Sequence, residues 1–345
     1  MMGIVPANGR VRRRVRVVAG LLLGGGALLG YLWFAGFGDI AVRLRELEPV
    51  VVALVAVLVI AEGAVDGLGV WASVRPLGDG LTGPESVQFA LAGDFFDIVS
   101  PAGPASSEPI MAQFVHTATA TNYSEALGVR SVAKYVKSAA QVTLSILLAL
   151  TVLQGNATVG PILRPLGIAG VAIVGLGILV AVGSTALSRV AISILTPIAR
   201  VIRRFVPSVD PDEAGVRDAV GRFRRRVGEF RTVPLLVGLI AVGGILEQTI
   251  VAVALWLLLS DLGVAVGFVP ILLIVPLPQV GTVVPIPASL GSYDVLLAGA
   301  LVLTTGASGP VAASAVLLFR GLTLVFGLAA GGFCAAQLRG WDVRP

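Results

Sequence analysis

Apolar residues in this chain do not alternate with polar ones; they run in long blocks, and the charges collect in the short segments between them. Six blocks are long enough to cross a bilayer as helices, a task that takes about 20 apolar residues. They fall at roughly 17–37, 50–74, 127–153, 166–188, 233–259 and 311–337. Two further apolar stretches, 86–121 and 268–305, are interrupted by Pro and Gly. Such breaks are tolerated in lipid only where the backbone is buried in protein or lines a polar cavity, so each stretch reads as a re-entrant helical hairpin. The expected fold is all-α integral membrane, a single polytopic domain over 1–345. It has about six transmembrane helices plus two hairpins arranged as an inverted repeat, with repeat 1 at 50–153 and repeat 2 at 233–337.

The two broken stretches share a motif. S-P-A-G-P-A-S-S-E (Ser100 to Glu108) returns as I-P-A-S-L-G-S-Y-D (Ile286 to Asp294). A carboxylate stands seven positions after the proline in each, Pro101 to Glu108 and Pro287 to Asp294. A base follows each carboxylate by 26 residues (Lys134, Arg320), and a glutamate inside an apolar run precedes it by 46 or 47 (Glu62, Glu247). Paired broken helices carrying charge are how repeat-built transporters form a site near the membrane midplane. The plainer alternative is two unrelated loops in a Gly-rich chain.

Charge sets the orientation. Arg10, Arg12, Arg13, Arg14 and Arg16 precede the first block, ten arginines lie in 189–231, and Arg339 and Arg344 follow the last block. All three regions are cytoplasmic by the positive-inside rule only if each broken stretch makes an even number of crossings. The first hairpin then enters from the cytoplasm and the second from outside. The first block is read as a retained helix rather than a signal peptide, because it is long enough to span. Residues 39–48 are expected as a short interfacial helix outside. The 189–231 segment is expected to form surface helices against anionic headgroups.

Composition narrows the chemistry. Hydrophobic residues make up 56% and charged residues 13%, and the basic excess sits between helices, so nucleic acid is not an expected partner. One histidine (His116) and one cysteine (Cys334) leave no basis for a His-based metal site, a catalytic triad or an intrachain disulfide. No cofactor and no catalytic residue is expected. Asn156-Ala157-Thr158 is a sequon in a short external loop.

The candidate site gathers the charges that lie inside apolar runs. Ser106, Ser107 and Glu108, and in the second copy Ser289, Ser292 and Asp294, have the composition of helix starts whose free N–H groups suit an anion. Arg130, Lys134, Lys137 and Gln141 fall on one helical stripe. A charge near a bilayer centre costs roughly 2.5–3.5 kcal/mol on insertion scales, and no acid stands at i±3 or i±4 from Lys134 or Lys137. Water and a transient anionic ligand are therefore expected to offset them. Arg320 needs a partner, with Asp294 and Glu247 as candidates. Glu62, Asp66, Asp94 and Asp97 complete a supporting polar network together with Arg130 and Glu247. A purely structural ion-pair network is the alternative for all of these.

These residues resemble a known family. S-P-A-G-P-A-S-S-E-P with V-A-K at 132–134, and P-I-P-A-S-L-G-S-Y-D with A-V-L-L-F-R at 315–320, are similar to the lysylphosphatidylglycerol synthase transmembrane (flippase-like) family over residues 15–338. Where that family typically has Gly-Glu, this chain has Ser107-Glu108. Where it has P-x-P-G-G-x-G-x-x-E, Ala288-Ser289 replace the two glycines and Asp294 the glutamate. The resemblance implies translocation of a lipid with a modified or phosphorylated headgroup, or association with glycosyltransferases that use polyprenyl phosphates. The aminoacyl-transfer domain of the synthases is not expected here. The reading is therefore a non-enzymatic protein of the cytoplasmic membrane that binds or flips an anionic lipid, with Glu108, Lys134, Lys137, Asp294, Arg320, Ser107 and Ser289 contacting it. A small-anion secondary transporter and a non-transporting partner of a glycosyltransferase are the rivals.

Overall fold

Proline opens two of the three longest helices described in this protein. In the computed structural model, which describes residues 42, 45–77, 80–100, 104–152, 167–172, 174–175, 213–279, 289 and 291–338, helix α1 (Pro49–Val74) and helix α6 (Pro234–Asp261) both begin on a proline. That position has no N–H to lose and a φ already suited to the helix. Between them run α2 (Gly83–Val99), α3 (Pro104–Thr119), α4 (Tyr123–Val152) and α5 (Glu213–Glu229). After α6 come α7 (Phe268–Ile274), α8 (Ser292–Thr305) and α9 (Gly309–Phe326), the last passing through a π turn at Gly327–Gly331 into α10 (Gly332–Gln337). The described residues are all helix and connection, with no strand.

Three of the six expected spans are helices long and apolar enough to cross a membrane: Pro49–Val74, Pro234–Asp261 and Gly309–Gln337. The block at 127–153 forms most of the 30-residue helix α4, whose first half carries the charged stripe. Block 17–37, the sequon, both termini and residues 189–212 lie outside the described residues, as does most of block 166–188. Of the expected interfacial helix at 39–48, residues 42, 45 and 46 are helical, and the Glu48 backbone N–H donates to Asp261 at 3.0 Å.

Both interrupted stretches are pairs of helices. Helix α2 starts in a capping box, in which the Glu85 N–H donates to Thr82 Oγ1 and the Thr82 N–H to Glu85 Oε2 at 2.9 Å. It ends at Ser100, whose ψ of 138° is the extended setting imposed on a residue that precedes proline. Helix α3 then packs back on α2, with Phe96 stacked on Phe114 at 5.5 Å. In the second stretch α7 and α8 pack together, and α8 closes on Gly306 with φ 69°, a left-handed cap that favours glycine. The order long helix, broken pair, long helix thus occurs twice, as α1 to α4 and as α6 to α9.

Packing divides the molecule into two apolar cores. One is built on Val55, Val59, Leu255, Leu258, Ile271, Leu301 and Phe319, the other on Val70, Phe89, Phe96, Met111, Phe114 and Ile240. Helices α1, α4 and α6 contact one another and run through both. Small residues set their separation. A Cβ on Gly243 would lie 3.7 Å from the Gly69 N, and one on Gly244 would come within 2.9 Å of the Lys137 Cγ. Glu62 and Asp66 of α1, Arg130, Lys134 and Lys137 of α4, and Glu247 of α6 occupy the band between the two cores.

Candidate functional site

Helix periodicity builds the site. Arg130, Lys134, Lys137 and Gln141 project from one face of α4, and four other helices bring partners to that face. Arg130 grips Glu108 of α3 with two hydrogen bonds, Nε to Oε2 at 2.9 Å and Nη2 to Oε1 at 3.1 Å. This is the bidentate fork that a guanidinium makes with a carboxylate. Lys134 donates to the same Glu108 at 3.1 Å and lies 3.9 Å from Asp97 of α2. The Ser107 hydroxyl donates to Asp97, tying α3 to α2 at this point. Lys137 donates to Asp66 of α1 at 2.8 Å and also pairs with Glu247 of α6. Deeper along the stripe, Gln141 donates to the Gly244 carbonyl at 2.9 Å and accepts from Gln279 at 2.9 Å, while Gln248 donates to Ser145 Oγ and to the Leu272 carbonyl.

The lysines are not without acids. The expectation that water and a transient ligand offset Lys134 and Lys137 is corrected: four carboxylates do so, from helices distant in sequence, where i±3 and i±4 counting cannot see them. Burial separates the bases. The side chains of Arg130 and Lys137 are 12% and 25% exposed, whereas Lys134 is 46% exposed between its two acids. Glu62 faces Glu247, Asp94, Lys137 and Asp66, and Asp94 stands against α1, its Oδ2 3.8 Å from the place a Cβ on Gly63 would occupy. The band between the cores therefore holds six carboxylates (Glu62, Asp66, Asp94, Asp97, Glu108, Glu247) against three bases (Arg130, Lys134, Lys137).

The second copy is simpler. Arg320 donates from Nε to Asp294 Oδ1 at 2.9 Å, and its guanidinium carbon lies 4.7 Å above the Tyr293 ring, a cation–π contact. Of the two candidates for Arg320, Asp294 is in direct contact, while Glu247 pairs with Lys137. The serine caps are corrected. Helix α3 begins at Pro104, so Ser107 and Glu108 lie beyond its start, and Ser107 spends its hydroxyl on Asp97. Helix α8 is capped by Gly291, at φ 79°, whose N–H donates to Asp294 at 2.9 Å. Ser289 is buried at φ 52° and its carbonyl accepts from the Ser292 hydroxyl. Pro101 to Gly103 of the first motif, and Ile286 to Ala288 and Leu290 of the second, lie outside the described residues.

Sequence reasoning did not find the amide group of Gln141, Gln248 and Gln279 with Ser145. Gln141 is visible on the stripe, but Gln248 beside Glu247 carried no signal beyond being polar in an apolar run. Among the described residues no group of His, Cys, Asp and Glu side chains is arranged to hold a metal ion.

An all-helical bundle with spanning helices and a charged band between two apolar cores defines a polytopic membrane protein with an internal polar site. Its sequence matches the family model of the lysylphosphatidylglycerol synthase TM region over residues 17–331, and the chain belongs to that family. No curated protein and no solved structure matches it.

Proposed function

We propose that this protein binds an anionic lipid headgroup on the charged face of α4 and carries it between leaflets while the lipid chains stay in the bilayer. Family membership supports a lipid-related role in the membrane. The observation that carries the headgroup reading is Lys134. It is an ammonium within a helix of the bundle, held by Glu108 and Asp97 yet nearly half exposed, while its neighbours Arg130 and Lys137 are mostly buried in their ion pairs. A phosphate competing for Lys134 would displace Glu108 only partly, because Arg130 keeps its fork on that carboxylate. The site can thus release its ligand as readily as it takes it. Acids neutralise the stripe where the sequence suggested unpartnered lysines, and the ligand exchanges with them.

The outer side of α4 fits the same reading. Tyr135, Val136, Ala139, Thr143 and Leu147, with Ala241 and Ile245 of α6, line an open apolar groove of about 370 Å³. It lies on the face of α4 turned away from the charged stripe, which suits a lipid chain better than a soluble anion. In this reading the two broken pairs are re-entrant hairpins in inverted repeats, the chain spans the cytoplasmic membrane about six times, and both termini are cytoplasmic. It is not an enzyme: its work is binding and movement. A partner role beside a glycosyltransferase is the reading that would remain if no lipid moved.

Proteoliposomes with a fluorescent phosphatidylglycerol analogue test the proposal. Lys134→Gln leaves Arg130 on Glu108 and should fold normally, yet lower the rate of leaflet exchange at least tenfold. A wild-type rate in this folded variant removes the headgroup site and shifts the assignment to the partner role.

A further inference from the structure

Helix α5 is basic and is fastened to the start of α4 and the end of α1. Arg226 pairs with Glu125 at the start of α4 at 3.3 Å and donates to the Pro76 carbonyl just beyond α1 at 3.3 Å. Arg222 donates to Ser124 Oγ at 3.1 Å. Phe223 packs so closely that a Cβ on Gly128 of α4 would lie 3.3 Å from its carbonyl oxygen. After α5 a single turn, Phe230–Thr232, leads into the spanning helix α6 at Pro234. Four residues cannot carry the chain far, so α5 lies at the membrane surface. It packs on α4, whose middle carries Lys137, and reaches Pro76 just past the end of α1, the helix of Asp66.

The other side of α5 is exposed. Arg217, Arg224 and Arg225 fall together on the helix with Gly221 and Gly228, Asp218 lies beside Arg225, and Arg231 follows in the turn; all are exposed. The aromatic residues point elsewhere, Phe223 toward Gly128 and Phe230 into the core. Protein docking sites concentrate their energy in buried aromatic and apolar anchors, and this face offers none. A face on which exposed arginines outnumber acids, one short turn from a spanning helix, is instead complementary to negative headgroups.

We infer that the Arg217–Arg224–Arg225 face of α5 binds anionic lipid headgroups of the leaflet it lies on and concentrates them at the α4 end of the bundle. The first part stands on α5 alone. The second rests on the headgroup site proposed at Lys134: α5 meets α4 at Ser124, Glu125 and Gly128, and the stripe begins two residues further on, at Arg130. The face acts as a collector, raising local headgroup concentration without itself moving lipid.

The test uses the full chain in nanodiscs and native mass spectrometry, with phosphatidylglycerol and phosphatidylcholine as probes. The wild type should retain phosphatidylglycerol in preference to phosphatidylcholine, and salt should weaken that preference. Arg217→Gln/Arg224→Gln/Arg225→Gln changes only exposed positions. At about 1 kcal/mol for each arginine near an anionic surface, it should weaken phosphatidylglycerol retention on the order of 100-fold and leave phosphatidylcholine unchanged. In exchange assays the same variant should be slow at low phosphatidylglycerol content and recover at high content, whereas Lys134→Gln should be slow throughout. Unchanged phosphatidylglycerol retention in the triple variant overturns the inference, including when that variant loses a protein partner, since the face would then serve protein docking. Lost retention in the triple variant, with no lipid exchange even by the wild type, leaves the α5 surface standing and removes the Lys134 reading.

Discussion

Arg320 and Asp294 face each other across the α8–α9 contact at 2.9 Å, 26 residues apart in the chain, and Lys134 and Glu108 face each other across α3–α4 at 3.1 Å with the same separation. The same spacing closes on an acid–base ion pair in both places. That ion pair fastens the second half of each broken pair to the long helix that follows.

The two pairs differ in burial, which predicts different responses. Asp294 and Arg320 have side chains only 7% and 13% exposed. Removing Arg320 strands the buried Asp294 charge, at a cost of about 3–5 kcal/mol. Arg320→Gln should therefore lower stability strongly. Arg320→Gln combined with Asp294→Asn should recover much of the loss, read by thermal unfolding in detergent. Arg200→Ala, beside the membrane by its position in the sequence, should change little. Strictly additive losses at 320 and 294 would show that the pair does not fasten α8 to α9.

Lys137 holds two acids, so the order of damage around it is asymmetric. Glu247→Gln leaves Lys137 with Asp66, and Asp66→Asn leaves it with Glu247. Lys137→Gln instead leaves both carboxylates facing Glu62 and Asp94 with their nearest base gone. Unfolding should rank Lys137→Gln as the most damaging of the three by at least about 1.4 kcal/mol, a tenfold change in the folding equilibrium. Equal losses would mean that Lys137 serves only one acid.

Glycine contacts make a sharper packing test. A Cβ on Gly331, in the π turn, would run into the Leu91 carbonyl oxygen of α2, which is backbone and cannot move aside. Gly331→Ala should destabilise by about 1–3 kcal/mol, the range for overpacking. Gly299→Ala in α8 meets nothing within 4 Å and should be neutral or gain up to about 1 kcal/mol from helix propensity. Chemical unfolding of both variants against the wild type checks the contrast.

Much of this site was legible in the sequence because its signals are local. Proline starts, Pro/Gly breaks and a charged stripe at i, i+4 and i+7 fix helix ends and faces through backbone sterics and the 3.6-residue period. The 26-residue spacing was visible for the same reason. What periodicity could not supply was the pairing of faces. That Lys137 meets Asp66 and Glu247, from helices 71 and 110 positions away in sequence, depends on α1, α4 and α6 crossing where Gly243 and Gly244 let backbones approach. The cap on α8 was missed because a glycine N-cap has no side chain to announce it, and the neighbouring serines looked better suited.

The last expectation concerns which side of the membrane each break faces. The arginines before residue 17, within 189–231 and after 338 share one side only if each broken pair returns to the side it entered. Helices α2 and α3 do pack on each other, as do α7 and α8, which a pair crossing straight through would not require. The first break, at Pro101, should then be reachable from the cytoplasm and the second, at Pro287, from outside. Single cysteines at Gly103 and Ala288 in a Cys334→Ala background, labelled with a membrane-impermeant maleimide in right-side-out and inside-out vesicles, distinguish the cases. Labelling of both positions from one side would mean that the repeats are parallel rather than inverted. The path from Lys134 to Arg320 would then lack the opposed entrances that leaflet-to-leaflet movement needs.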